Sequence, residues 1–477
     1  GRARQLEAPL MSQPPEKHEA TAASETAKTP DPSVNARPRA LTARARSVAA
    51  ASEAMASAGP SLTLDGPTRV MQLRPSMVAS ARALVPMPVG MDWTLFAAVM
   101  ALTAFGVVMA FSASIFTAVH TQSGDESFFL IRHATYAGLG LCVMMVAAHV
   151  PYQAWRELAY PVLGVTILAL IAVLFVGETR NRATRWLMVG GISLQPAEIA
   201  KLAFIIYLAR SLSQKAETNA IQTFHIGLLP HMLVWGGLLF LCMKQPDLGT
   251  GLVLAVLLFS MTFVAGARIA YLLFFGFGGV AGLVMFLLHD PMRSKRITAF
   301  LEPLQHRAAT GYQLFNGKLA IATGGYFGNG LGASRQKLGF IPEAHTDFVL
   351  SIVGEELGVI GFSVVAVLFA VLLLRGLRIA MHARCEFGRL LALGITLLIG
   401  AQAAVNFGVV LGLLPTKGLT LPFVSYGGSS LVVMSMAIGI LLNVGRGGRA
   451  EFRLPPLMIR RRSSRAMPAQ VPSGGIT

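Results

Sequence analysis

From residue 92 the chain alternates long apolar runs with short polar breaks, and the runs are long enough to cross a hydrocarbon core of about 30 Å as helices. Ten helices are predicted, near 93–113, 128–150, 157–177, 196–212, 226–244, 247–266, 269–289, 347–374, 389–413 and 424–443. The fourth is short and carries Glu198 and Lys201. Between the fifth and sixth lies "KQPDLGTG" (Lys244–Gly251), where Pro246 stops one helix and Asp247 can cap the next. A long polar stretch, 290–346, separates the seventh run from the eighth. Structureless loops of that length are uncommon, which favours a functional role. Residues 1–90 are rich in Ala, Ser, Pro and Arg without a sustained apolar period, and predict a disordered basic tail. Residues 446–477 form a second basic tail, densest at "IRRRSSR". The pattern predicts an all-α polytopic membrane domain over 91–445, with about ten transmembrane helices and a long outer loop between helices seven and eight. The chain opens on Gly1; Met11, Met71 and Met91 are all conceivable starts, and the first apolar run is too long for a cleaved leader.

Composition fixes the medium. Of 477 residues, 54% are hydrophobic and 13% charged, with a net charge of +17. Soluble proteins carry about twice that charged fraction. Nucleic-acid binders share the basic balance but not the apolar content, so the charge is read against anionic lipid. Arg375, Arg378 and Arg384 follow the eighth run, whereas the first loop, 114–127, has no Lys or Arg. By the positive-inside rule both tails are cytoplasmic, and loops 114–127, 178–195, 290–346 and 414–423 face outward. Cys142, Cys242 and Cys385 are scattered with no CxxC pair, which argues against a disulfide framework or a zinc site.

Two outward loops depart from that charge rule. Residues 178–195 carry Arg180, Arg182 and Arg185; residues 290–346 carry Arg293, Lys295, Arg296, Arg307, Lys318, Arg335 and Lys337. Either later loops tolerate charge once the first helices set the topology, or these residues form a basic vestibule for an anionic ligand such as a phosphate. The vestibule leads to "FIPEAHTDFVLSIVGEELG" (Phe340–Gly358), where a polar turn passes into an apolar helix. Asp347 is expected in the first turn of that helix, where the helix dipole favours the ionised form that a general base needs. Glu355 and Glu356 fall inside the apolar run, a costly position that calls for a water-filled cavity or a cationic partner. Glu198 and Lys201 in "QPAEIAKL" stand at the i,i+3 spacing of an ion pair. In "LPTKGLTLPFVSYGGSS" (Leu414–Ser430), Pro415 and Pro422 break the chain before Gly427, Gly428, Ser429 and Ser430, a small-residue helix start suited to close packing or to cradling phosphate. No P-loop, GxSxG, zinc or dinucleotide signature is present.

Taken together, "NRATRWLMVGGISLQPAEIAKL", "KQPDLGTG", "RITAFLEP", "GYQLFNGKLAIATGGYFGNGLGASRQKLGFIPEAHTDF", "GEELG" and "LPTKGLTLPFVSYGGSS" resemble, in order and spacing over about residues 90–445, the SEDS proteins of shape, elongation, division and sporulation. Ala344 and Gly354 make the blocks look more like the division branch than the elongation branch. The resemblance implies a peptidoglycan glycosyltransferase of the bacterial inner membrane, at the division septum, that polymerises lipid II into β-1,4 glycan strands. It places the family's essential outer-loop aspartate on Asp347, as base in an inverting displacement. Candidate substrate-binding residues are Arg185, Lys201, Arg293, Lys295, Arg296, Gln336, Lys337, Glu343, His345, Lys417, Ser425 and Ser429. Glu355 and Glu356 are assigned to pairing within the helix bundle. A divalent cation, magnesium or manganese, could accompany the pyrophosphate, but no ligand set is readable. The implied partners are a class B penicillin-binding protein (a transpeptidase), other division proteins and the membrane, with no nucleic acid. Two rival readings stand beside this one: a lipid II flippase, for which intramembrane charges and broken helices are also suited, and a scaffold of the division machinery.

Overall fold

The computed structural model describes residues 90–447, except 122–126, 181–182, 190–191, 290, 303–304, 306–310 and 417. The two basic tails, apart from Gly90, Arg446 and Gly447, lie outside the described residues. The helices are α1 (Trp93–Thr121), α2 (Phe128–His149), α3 (Tyr152–Val176), α4 (Pro196–Glu217), α5 (Leu229–Lys244, entered through a π turn at Phe224–Leu228), α6 (Leu248–Val264), α7 (Ile269–His289), α8 (Pro291–Leu301), α9 (Tyr312–Gly324), α10 (Val349–Glu356), α11 (Gly358–His382), α12 (Glu386–Val410) and α13 (Gly428–Gly445). Among the described residues eight helices are long and apolar enough to cross a membrane; α6 is a shorter apolar helix. The 22-residue α4, interrupted by Glu198, Lys201 and Arg210, completes the ten predicted positions.

Three features differ from the sequence expectation. The loop at 178–195 is not irregular: β1 (Glu178–Arg180), β2 (Ala183–Val189) and β3 (Ile192–Leu194) form an antiparallel three-stranded sheet in that order. The loop at 290–346 contains α8 and α9. The eighth predicted helix is broken, into α10 and α11. The break has a local cause: the amides of Asn329 and Gly330 take the carbonyls of Glu355 and Glu356 at 3.0 Å, and Val359 and Ile360 donate back to Gly325 and Tyr326. Gly358 sits at φ +65°, and a Cβ there would lie 2.5 Å from the amide of Gly328, so the crossing needs glycine.

The core is built on α4, α12 and α13, whose inward faces are continuous runs of buried residues, whereas α7 has none. Polar ties define two ends. At the end that holds residues 92 and 446, the Arg375 Nη2 of α11 donates to Asp92 at 2.7 Å, and Asp92 also accepts the Leu95 amide of α1. Asn443 of α13 spans the α2–α3 corner, donating to the Ala148 carbonyl at 2.9 Å and accepting the Tyr152 amide at 2.8 Å. That satisfies backbone groups a helix end otherwise leaves open. The opposite end gathers the sheet, the 325–348 segment and the 411–427 segment.

Candidate active site

Asp347 does not lie in the first helical turn. It closes a turn over Ile341–Asp347, two residues ahead of α10, whose flanking residue is Phe348. Glu343 sits in the left-handed region at φ +53°, and its carbonyl accepts the amides of Thr346 and Asp347 at 3.1 and 3.3 Å. That geometry is sparsely populated by non-glycine residues and holds only where the surroundings fix it. They do so here: Tyr426 donates its amide to the His345 carbonyl at 2.9 Å, and Asn406 Nδ2 donates to the carbonyls of Asp347 at 3.1 Å and Leu419 at 2.8 Å. One α12 side chain thus joins the Asp347 turn to the 411–427 segment.

The Asp347 carboxylate accepts no hydrogen bond from a described residue. A Cβ placed on Gly418 would meet its Oδ2 at 3.1 Å, so the missing side chain at 418 leaves the oxygen room. Burial first, and the Glu343 carboxylate second, raise its pKa to about 7 against the pull of Arg185. The expectation of a dipole-stabilised, readily ionised acid is therefore corrected: the group stands outside the helix, in a desolvated position where charge is costly. Beside it opens a cleft of about 120 Å³, lined by Arg185, Asp247, Leu248, Ile297, Thr416 and Gly418 among others. β2 carries Arg185 into this cleft, where the carbonyls of Gln245 (2.9 Å from Nε) and Pro246 fix its guanidinium. Asp247 has the capping role expected of it, accepting the Thr250 amide at 3.1 Å and the Thr250 hydroxyl at 2.7 Å.

The remaining candidates divide. Glu343 is exposed on the turn, with Oε2 3.8 Å from His345 Nε2. His345 is buried against Phe129 and Tyr426, and burial lowers its pKa despite Glu343. A neutral buried imidazole cannot act as a cationic clamp. α8 bears Arg293, Lys295 and Arg296 and reaches the cleft through Ile297; Lys295 is exposed. Lys417 lies outside the described residues, next to Gly418.

Five candidates serve the framework instead. Lys201 is fully buried and paired with Glu198 at 2.7 Å. Lys337, 7% exposed, donates to Glu356 at 2.9 Å and to the Ser112 hydroxyl at 3.1 Å. This is the cationic partner that the intramembrane glutamates called for, and it leaves Lys337 no reach toward an outer pyrophosphate. Glu355 accepts the Ser334 hydroxyl and the amides of Arg335 (2.9 Å) and Gln336 (3.3 Å), so Gln336 is held by its backbone while its buried Oε1 has no partner among the described residues. Ser425 accepts the Leu421 amide at 2.9 Å. Ser429 donates to the Ser193 carbonyl at 2.8 Å and accepts the Gln195 amide at 3.1 Å, locking the sheet to α13. Sequence reasoning missed Asn406, Gly418 and Ser112. Asn406 and Ser112 were detectable as lone polar residues in or beside apolar runs; Gly418 carried no signal. Among the described residues no three His, Cys, Asp or Glu side chains converge as a metal site.

A family model described as cell cycle protein, covering FtsW, RodA and SpoVE, matches residues 92–449. The chain is 44% identical, over 77% of its length and 95% of the relative's, to a probable peptidoglycan glycosyltransferase FtsW of Trichlorobacter lovleyi. It is 43% identical, over 73% and 95%, to stage V sporulation protein E of Bacillus subtilis. Among solved structures it is similar to a chain of a peptidoglycan synthase complex that coordinates polymerization and crosslinking (TM-score 0.61, 30% identity, 75% of this chain and 98% of that one). It is also similar to the rod shape determining protein RodA of Thermus thermophilus (TM-score 0.56, 30% identity, the same coverage).

Proposed function

This chain belongs to the FtsW, RodA and SpoVE family of cell cycle proteins, the SEDS family, and from that premise we propose that it polymerises lipid II into peptidoglycan strands at the septum, with Asp347 as general base. The observation that carries the reading is Asp347 itself: a carboxylate that no described residue engages, its pKa raised to about 7, beside a cleft into which Arg185 projects. A base works best with a pKa near the operating pH. Asp347 removes the proton from the 4-hydroxyl of the acceptor GlcNAc as that oxygen attacks the anomeric carbon of the donor MurNAc. The carbon–oxygen bond to pyrophosphate breaks, undecaprenyl pyrophosphate departs, and the anomeric centre inverts. The leaving group is already an anion and needs cations rather than a proton. Arg185, fixed by two carbonyls, meets that need at no cost in reorganisation. Lys295, exposed on α8, adds further positive charge to this side.

A class B penicillin-binding protein is the proposed partner, and the Asp347 side of the bundle the proposed outer face. The test is polymerisation of purified lipid II by the purified protein, with and without that partner. The wild type should give glycan polymer and Asp347→Asn almost none. A flippase would instead move lipid II across liposomes and yield polymer with neither form.

A further inference from the structure

Residues 325–340 present a contradiction between rigidity and exposure. Backbone hydrogen bonds clamp 325–330 to the α10–α11 junction, and Glu355 and Glu356 hold 334–337 through buried carboxylates. A segment pinned this firmly would be expected to turn its apolar side chains inward. Instead Tyr326 is 76% and Phe327 83% exposed, with Leu331 at 62% and Leu338 and Phe340 also exposed. Contiguous exposed apolar surface of this kind marks an interaction face.

The depth of the segment says which medium covers it. Val359 and Ile360, the second and third residues of α11, donate their amides to Gly325 and Tyr326 at 3.0 and 3.2 Å, so Tyr326 and Phe327 lie level with the start of that helix. α11 has 25 residues, about 37 Å of rise. The hydrocarbon core is about 30 Å thick, and about 40–45 Å with headgroups. With Arg378 and His382 marking the far interface, the α11 start lies at the boundary between acyl chains and headgroups. The exposed residues Val359, Ile360, Val364 and Val367 make the flank of α11 a largely apolar stripe, and the Tyr326–Phe327 pair lies level with its start.

We infer that Tyr326, Phe327 and Leu331 are seated in the bilayer interface on the Asp347 side, making the 325–340 segment a membrane anchor. Aromatic side chains favour that depth, the apolar ring toward acyl chains and the hydroxyl toward water. On this placement Arg335, exposed on the same segment, belongs on the water side. The anchor fixes the height of the segment that leads into the Asp347 turn. It does not depend on the reaction assigned to Asp347, because it concerns only where this surface sits.

The experiment is depth quenching in nanodiscs of mixed phosphatidylcholine and phosphatidylglycerol, with no other protein present. In a C142A/C385S background, which leaves buried Cys242 in place, Phe327→Cys and Arg335→Cys are labelled separately with a small fluorophore. The label at 327 should be quenched several-fold more by lipid bearing a nitroxide near the headgroup than by lipid bearing it deep in the chain, and should be shielded from aqueous iodide. The label at 335 should be quenched freely by iodide and little by either nitroxide lipid. Should the cysteine background fail to fold, Phe327→Trp in the otherwise native chain, read as a difference from the parent in brominated lipid, gives the same answer. Free access of iodide to position 327 would overturn the inference. So would shielding that appears only when a transpeptidase is added, which would make this face a protein-docking surface instead.

Discussion

The raised pKa of Asp347 gives the most exposed prediction, because it fixes a pH at which activity must fail. Lifting a carboxyl from 3.8 to about 7 disfavours its charged form by roughly 4 kcal/mol. At pH 6 about a tenth of the molecules would carry the base ionised. Rates measured at low lipid II concentration, as kcat/KM in detergent, should fall about tenfold per pH unit below the pKa of the free enzyme and level off above it. Glu343 is the second cause of the upward shift, after burial, and Arg185 opposes both. Glu343→Gln should therefore move the acid limb to lower pH, and Arg185→Gln should move it higher. Stability carries the opposite signature. Between 3.8 and about 7 the folded chain holds a proton that the unfolded chain has released, so stability falls as pH rises through that window. Asp347→Asn should consequently raise the melting temperature at pH 8 more than at pH 5, while abolishing polymerisation. An acid limb near pH 4 with a flat profile above it would refute the desolvation account, and a limb that Glu343→Gln does not move would refute the part assigned to Glu343.

Other perturbations follow from the same contacts. Lys337→Met leaves the Glu356 carboxylate buried without its cation and should cost about 3–5 kcal/mol, seen as a lower melting temperature in detergent. A Lys337→Met/Glu356→Leu pair should recover most of that loss. Asn406→Ala orphans the carbonyls of Asp347 and Leu419, at about 1–3 kcal/mol each, and should cut polymer yield while the protein still inserts in membranes. Gly418→Ala brings a methyl to 3.1 Å from Asp347 Oδ2, and should shift the acid limb of the rate profile to higher pH. Deletion of residues 1–85, whose composition cannot bury a core, should leave polymerisation intact in the presence of the partner.

Much of the helical layout was legible because spanning helices announce themselves by length and apolarity, independent of what they touch. All ten predicted positions carry a helix. What the pattern concealed was tertiary. The break at Gly358 looks, in sequence, like one more glycine in an apolar run; it becomes a break only because the 325–330 segment crosses there and claims the carbonyls of Glu355 and Glu356. The sheet at 178–194 was hidden by its brevity, since strands of three and seven residues bounded by arginines read as a charged loop. Basic residues were equally ambiguous one at a time. Lys337 and Arg185 both lay in polar segments with the same apparent claim on phosphate, yet one is buried against Glu356 and the other lines the cleft. Charge in a sequence states that a partner exists; only the fold says whether the partner is internal.

The three carboxylates gathered around the α10 segment then have separate physical tasks. Glu355 and Glu356 sit at one end of α10, a helix of eight residues that is buried on every side. Their negative charge is tolerated there because each is saturated, Glu355 by a hydroxyl and two amides, Glu356 by Lys337 and Ser112. Asp347 sits just beyond the other end and is left unsaturated by every described residue, although burial there costs it ionisation. A satisfied carboxylate is inert: its lone pairs are occupied and its charge is compensated, so it can hold a backbone but not take a proton. An unsatisfied one at the same boundary is destabilising and reactive for the same reason. A short, fully buried helix between them keeps the strained acid at a fixed distance from its anchors, so that the cost at one end is carried by the hydrogen bonds at the other.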